Sequence, residues 1–436
     1  MHRCDMTQIF KFGGASLRDA DDIRHLGHLM ADFPGRPLVV VLSAMGKTTN
    51  ALEALLDAAR GNDEANYRER LENLRRDHLA IVGALFGSKA SPVAQRVEAL
   101  IAELDQHHRT LAKHARPFHY DQTIGFGELM STTIVSAWLE ASGIATRWQD
   151  ARRLIVTDDC YQAANVDWAA TTERLRELAW DDCRLLVTQG FLGGTQDGQT
   201  TTLGRGGSDY SAAILAHCLE AERVTMWKDV PGLFNADPRR FDNATQLEHI
   251  SYAETIELAW HGAKVIHPKS LAPLQRKRIP LTVRSFKAPR TPGSTIDADP
   301  RHDGDVPIVI LREAQILLTL YPRDFALMDE AHQHDILGHL VRVGVHASMI
   351  DSAAMRVSLC LDRPTGRLEA LVEALSADYR VVRRNNLTLL TVRHPDDGLL
   401  EGLSAGRDCL AERRNADTAQ RLFPGDQCPE SWHLPT

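Results

Sequence analysis

Two glycine-bearing segments of this chain carry the residue types needed to hold a phosphoryl group. The first is Lys11-Phe12-Gly13-Gly14-Ala15-Ser16, directly after the apolar run Gln8–Phe12. Paired glycines let a backbone approach a ligand closely and turn several N–H groups one way, which forms an anion-binding concavity. Lys11 stands where its ammonium could neutralise the same anion. A plain strand-to-helix turn uses the same residues, so this segment alone leaves both readings open. The second is Thr200-Thr201-Thr202-Leu203-Gly204-Arg205-Gly206-Gly207-Ser208-Asp209, which opens a helical pattern from Tyr210 to Ala216. Ser208 suits the N-cap of that helix. A glycine-rich approach to a helix N-terminus is an anion site, and the Arg205 fork matches a carboxylate or phosphate bidentately. Asp209 in the first turn complements the helix dipole. Beside bound phosphates it would instead order a cation or a substrate amine.

Three further segments could contribute. Trp227-Lys228-Asp229-Val230-Pro231-Gly232-Leu233-Phe234 continues through Ala236 to Asp237-Pro238-Arg239 and is punctuated by turn formers. Gly262-Ala263-Lys264-Val265-Ile266-His267-Pro268 follows a helical pattern carrying Ile256, Leu258 and Ala259. Gly127-Glu128-Leu129-Met130-Ser131 is expected to open a helix, with Glu128 either a helix-start carboxylate or a functional one. Gly46-Lys47-Thr48-Thr49 imitates the end of a Walker A loop, but Val41 occupies the position of its first glycine. His107-His108 and the pair His332 and His334 lack partners at ligand spacing and read as solvated helix-face histidines. No protein-side metal site is expected.

The elements that must position these residues are legible in outline. Gln8–Phe12, Pro37–Ala44, Thr146–Gln149, 184–190, Arg223–Val230 and Ile279–Phe286 read as buried strands alternating with helices. That order predicts an α/β fold whose central, mostly parallel sheet is sandwiched by helices. Ligands then bind outside the carboxyl ends of the strands. Residues 50–116 read as a helical insertion, equally suited to cover a site or only to pack. The stretch from Ala288 to Pro307 is rich in Pro, Gly, Asp and Thr and reads as a linker. Beyond it come a strand at Ile316–Leu320, a helix over 325–343, a strand at Met355–Leu361, a helix at Arg367–Leu375 and a strand at Leu387–Val392. This order fits a ferredoxin-like module, with a partial second copy from Leu387. The last residues, from Pro424, read as frayed.

Composition sets the limits. The 436 residues are 43% hydrophobic and 25% charged, with a net charge of −8. That balance describes a globular chain and argues against nucleic acid as a partner. No apolar run reaches the ~18–20 residues that span a bilayer. The start of the chain has no secretory h-region, and the seven scattered cysteines read as reduced thiols of a cytoplasmic protein.

In this order the segments Lys11–Ser16, Val40–Ala44, Gly127–Ser131, Thr188–Phe191, Thr200–Tyr210, Trp227–Gly232, Asp237–Arg239 and Gly262–Pro268 resemble the motif series of the aspartate kinases. These belong to the amino-acid kinase superfamily. The tail resembles the paired ACT modules of the same family. The resemblance implies a kinase catalytic domain over 1–300, a regulatory region with one or two ACT modules over 301–436, and a homodimer or larger assembly. It implies ATP-dependent phosphorylation of the β-carboxylate of L-aspartate, with Mg2+, and an amino-acid effector at the ACT modules. Lys11, Gly13, Gly14, Ser16, Gly207 and Ser208 would hold the transferring phosphates, and Lys264 the nucleotide. Lys228, Asp229, Phe234 and Arg239 would line the adenosine pocket. Ser43, Thr49, Glu128, Phe191 and Arg205 would hold aspartate, with Arg205 on its α-carboxylate and Glu128 on its amine, while Asp209 organises the centre. The chain departs from the pattern at Ala15, Val156, Cys160, Tyr161 and Gln162, and in the regulatory half at Ser348 and Ala354. The departures at Ala15 and 156–162 motivate one alternative, a kinase of the same fold for another carboxylate; a second, a weakly active amino-acid-sensing subunit working through its ACT modules, is opposed by the intact Lys11, Arg205, Asp209 and Lys264.

Overall fold

The computed structural model describes residues 7–33, 37–87, 92–109, 115–178, 185–263, 266–324, 326–362 and 366–434. The chain forms two compact units. One comprises Met1–Leu233, Glu248–Ile256 and Val265–Pro300, and the other Phe234–Leu247, Glu257–Lys264 and Arg301–Thr436.

The first unit is built on an eight-stranded sheet. Its spatial order is His249–Ser251, Ser294–Asp297, Leu281–Ser285, Arg223–Lys228, Gln8–Phe12, Leu38–Leu42, Leu185–Gln189 and Thr146–Gln149. All neighbouring pairs are parallel except Leu281–Ser285 with Ser294–Asp297. The three strands beginning at Gln8, Leu38 and Leu185 are buried along their whole length, as expected of a parallel sheet covered on both faces. Register matters most for function. Phe12 is level with Leu42 on one side and Trp227 on the other, and Leu42 is level with Gln189. The chain therefore leaves four adjacent strands at one height, and the segments that follow emerge side by side. Stacking of Phe12 on Trp227, with ring centroids 6.1 Å apart, packs beneath that edge.

Three expectations for this unit need correction. Gly127–Ser131 does not open a helix but lies inside the 26-residue helix Arg116–Ala141, whose mostly buried stretch from Ile124 to Leu139 runs through it. The stretch read as a linker contains the strand Ser294–Asp297, whose Ser294 and Ile296 are fully buried. His108 is not solvated. It is buried in the helical insertion, with Nε2 2.9 Å from Thr123 Oγ1 and Nδ1 3.2 Å from the Tyr67 hydroxyl.

The second unit is a six-stranded antiparallel sheet in the order Ala347–Ala353, Arg356–Leu361, Ile308–Pro322, Tyr379–Arg393, Thr418–Pro424, Ala411–Arg414. Its two 15-residue strands pair along both halves, with register shifts between Arg312 and Leu317. One half combines with the helices Glu330–Val343 and Arg367–Leu375 in the ferredoxin-like order. The other half combines with the helix Asp397–Ser404. Ala347–Ala353, which carries the departure at Ser348, is an edge strand of this sheet. The end of the chain is not frayed at Trp432, which is 3% exposed and packs on Phe241.

Candidate active site

The site forms where the four level strands end. Ser43 N–H donates to Phe12 C=O at 3.1 Å, and Gly190 N–H donates to Leu42 C=O at 2.8 Å, so each post-strand segment is tied to its neighbour. Gly13 leads into a short 3-10 turn, Gly14–Ser16, in which Ser16 is buried. A Cβ on Gly14 would lie 2.7 Å from Ala44 C=O, so only glycine lets this turn touch the Ser43 segment. A Cβ on Gly190 would lie 2.7 Å from Ser208 Cβ, which brings the glycine-rich helix start against the same edge. That helix runs Gly207–Leu219, and its N-cap is Gly206 rather than Ser208, because Gly206 takes the left-handed backbone (φ +70°) that ends the preceding turn.

The charges meet at Asp209. Lys11 Nζ lies 2.6 Å from its Oδ1 and Lys228 Nζ 3.7 Å from its Oδ2. Burial alone would raise the Asp209 carboxyl, but the two ammonium groups override this and hold it below its ordinary value. Burial lowers Lys228, aided by Lys11 and opposed by Asp209. Two cations against one anion leave a net positive centre at a helix N-terminus, which is the electrostatic requirement of a phosphate site. Glu128 is buried within the long helix, and its Oε1 accepts from Ala44 N–H at 3.2 Å. Burial pushes it up to about 8, against the pull of that N–H and of Lys11.

The structure thus brings together Lys11, Gly13, Gly14, Ser16, Ser43, Glu128, Gly207, Ser208, Asp209 and Lys228. Phe191, held with φ +70°, donates its N–H to Ser211 Oγ at 2.9 Å and presses against Gly207. Thr49 lies in the first turn of the helix that follows the Ser43 segment. Arg205 is exposed at the tip of its loop, and Asp229 is exposed beside Lys228. Phe234 and Arg239 belong to the second unit, where Arg239 pairs with Asp237 at 2.8 Å. Lys264 lies outside the described residues. A cavity of about 620 Å³ is lined by Phe118, Asp159, Tyr161 and Gln199 and shares no residue with the charged cluster. Asp121, which no sequence motif marks, lies seven residues before Glu128 on the same face of the helix Arg116–Ala141.

A parallel sheet that presents two glycine turns, two lysines and an aspartate at its carboxyl edge is the architecture of a small-molecule kinase. The chain belongs to the amino acid kinase family, whose model matches residues 6–285. Within that family it groups with the aspartokinases. It is 34% identical over 394 residues to lysine-sensitive aspartokinase 3 of Escherichia coli, an alignment covering 88% of this chain and 86% of that one. A bifunctional aspartokinase/homoserine dehydrogenase of Arabidopsis thaliana is 29% identical, and there the match spans only 42% of the longer protein. Among solved structures, E. coli aspartokinase III with lysine and aspartate (T-state) superposes with a TM-score of 0.82 at 30% identity, covering 97% of each chain. The same enzyme with aspartate and ADP (R-state) gives 0.79 at 32% identity, covering 96% of each.

Proposed function

We propose that this chain catalyses ATP-dependent phosphorylation of the β-carboxylate of L-aspartate to 4-phospho-L-aspartate. The observation that carries the reading is the Lys11–Asp209–Lys228 cluster, set between two glycine turns at the start of a helix. Its net positive charge fits a nucleotide's terminal phosphates, which Lys11 and the N–H groups near Gly14 and Gly207 would hold; Lys228, expected in the adenosine pocket, is assigned here to the phosphate side because its Nζ lies 3.7 Å from Asp209 Oδ2. Bound ATP would supply the γ-phosphoryl group, and magnesium would offset part of the phosphates' negative charge, with Asp209 the carboxylate of this cluster that would order it.

The chain's own residues do the positioning. A carboxylate nucleophile is already ionised at neutral pH and needs no general base, so no proton moves. An oxygen of the β-carboxylate bonds to phosphorus as the bond to the ADP oxygen breaks. What the protein must suppress is repulsion between two anions. Lys11 and Lys228 do so on the phosphate side, fixed in place by Asp209. On the acceptor side Arg205 would clamp the α-carboxylate. Glu128 would take the amine, with Ser43, Thr49 and Phe191 closing around it. Phe234, Arg239, Asp229 and Lys264 are proposed for the nucleotide on the strength of the motifs that carry them.

The second unit is proposed as a regulatory region of two ACT modules that binds an amino-acid effector. A homodimer or larger cytoplasmic assembly completes the reading. The apolar face of Leu337 and Val341, one helical turn apart and both exposed, supports an assembly, and five described cysteines are free thiols. Among the described residues, no helix is long and apolar enough to cross a membrane. ADP release measured over a panel of amino acids should show aspartate as the preferred acceptor. Preferred turnover of glutamate would replace aspartate with another carboxylate, and ATP binding with no turnover on any acceptor would favour a sensing subunit.

A further inference from the structure

We infer that Asp121 is a positioning residue for the acceptor half of the site, acting through the loop that carries Arg205. The inference rests on the proposal that this half holds aspartate. Asp121 is fully buried on the helix Arg116–Ala141, two turns before Glu128 and therefore on the same face. Its carboxylate gathers donors from two separate segments. Thr202 N–H donates to Oδ2 at 2.7 Å and the Thr202 hydroxyl to Oδ1 at 2.8 Å. Gln162 N–H lies 3.0 Å from both oxygens.

These bonds determine where Arg205 can be. Thr202 ends the last strand before the loop, three residues ahead of Arg205. Between them Leu203 N–H donates to Phe191 C=O at 2.9 Å, and Leu203 C=O accepts from Lys269 Nζ at 3.2 Å. A Cβ on Gly204 would lie 3.0 Å from Gln162 C=O, so the Gln162 turn is the wall against which the loop rests. Gln162 itself has φ +71°, a conformation side chains rarely adopt, and its N–H bond to Asp121 holds it there. One carboxylate thus fixes both the strand feeding Arg205 and the turn behind it. An acceptor-only group is what three converging donors require. A buried carboxylate is costly unless it is hydrogen-bonded, and these donors offset that cost; an apolar side chain here would leave them unpartnered.

The test compares Asp121→Ala, Asp121→Asn and Thr202→Val in the full-length protein, with aspartate and ATP varied separately. Asp121→Ala should raise KM for aspartate about tenfold or more while KM for ATP stays within about twofold. Asp121→Asn should stay within about threefold of the parent, because its amide oxygen can take both N–H donors and its NH2 can donate to the Thr202 hydroxyl. Thr202→Val should raise KM for aspartate by a few fold. Hydrogen exchange at Leu203–Gly206 should quicken in Asp121→Ala relative to the rest of the sheet, a readout independent of the acceptor's identity. Should Asp121→Ala fail to fold, the Asn and Val variants decide. An unchanged KM for aspartate in Ala or Val, an equal rise in both KM values, or an Asn variant as impaired as Ala would overturn the inference. A parent enzyme inactive on aspartate would instead overturn the acceptor assignment, leaving the exchange measurement to judge Asp121.

Discussion

Replacing Glu128 by Gln is expected to strengthen the fold while weakening acceptor binding. Burial pushes this acid up to about 8 from an ordinary 4.5. Below pH 4.5 the folded and unfolded chains both carry the neutral acid, and its contribution to stability is complete. Between 4.5 and 8 the folded chain keeps a proton that the unfolded chain has released, so stability falls as pH rises. Above 8 both states are ionised and the loss is full. At about 1.4 kcal/mol per pKa unit, the cost at pH 7 relative to a neutral amide of the same shape is roughly 3 kcal/mol. Gln escapes that cost. It also cannot become the anion that pairs with an ammonium, an interaction worth about 1.5–3 kcal/mol, so KM for aspartate should rise about 10–100-fold at pH 8. In the parent protein KM should fall as pH rises from 6 to 8, and in Glu128→Gln that slope should vanish. Calorimetry at pH 5, 7 and 8 should show the Gln variant melting increasingly above the parent, with steady-state kinetics over the same range. A lower melting temperature for Gln at pH 8, or an unaltered pH slope in KM, would refute the reasoning.

Other perturbations follow from the same geometry. Lys11→Ala should lower kcat by about 10²–10³, as loss of a transition-state donor does, and a rate within a few fold of the parent would remove Lys11 from the reaction. Gly190→Ala sets a methyl 2.7 Å from Ser208 Cβ and should cost about 1–3 kcal/mol of stability along with most activity, measured by urea melts and ADP release. Leu371→Ala, in the fully buried core of the second unit, should cost about 2–5 kcal/mol and be visible as a shift of that unit's unfolding transition. Lysine titrated against activity tests the effector proposal. Absence of inhibition below ~10 mM, about −2.7 kcal/mol of affinity, would end it for lysine.

The parallel sheet was legible because its strands are continuous apolar runs, and the glycine turns because each directly follows or precedes such an element. Lys11 and Asp209 could be placed from that pattern, whereas Ser208 lies inside the first turn of a helix capped by Gly206. Glu128 was legible as a residue but not in its setting. Nothing in Gly127–Ser131 distinguishes a helix start from a helix interior, and the N–H that opposes the burial of its acid comes from the distant Ala44. Asp121 was invisible because its partners, Thr202 and Gln162, lie 81 and 41 residues away in the chain. His108 misled for the same reason, since Tyr67 and Thr123 supply its partners from other helices. The strand Ser294–Asp297 hid in a turn-rich stretch because three of its four residues are polar and it is only four residues long.

Trapping the product bears most directly on the account. The protein incubated with ATP, magnesium, aspartate and hydroxylamine should yield the β-hydroxamate of aspartate in amounts matching ADP formed, and Lys11→Ala should yield almost none. ADP without hydroxamate, or a hydroxamate of a different amino acid in preference, would contradict the claim that this site transfers a phosphoryl group to the side chain of aspartate.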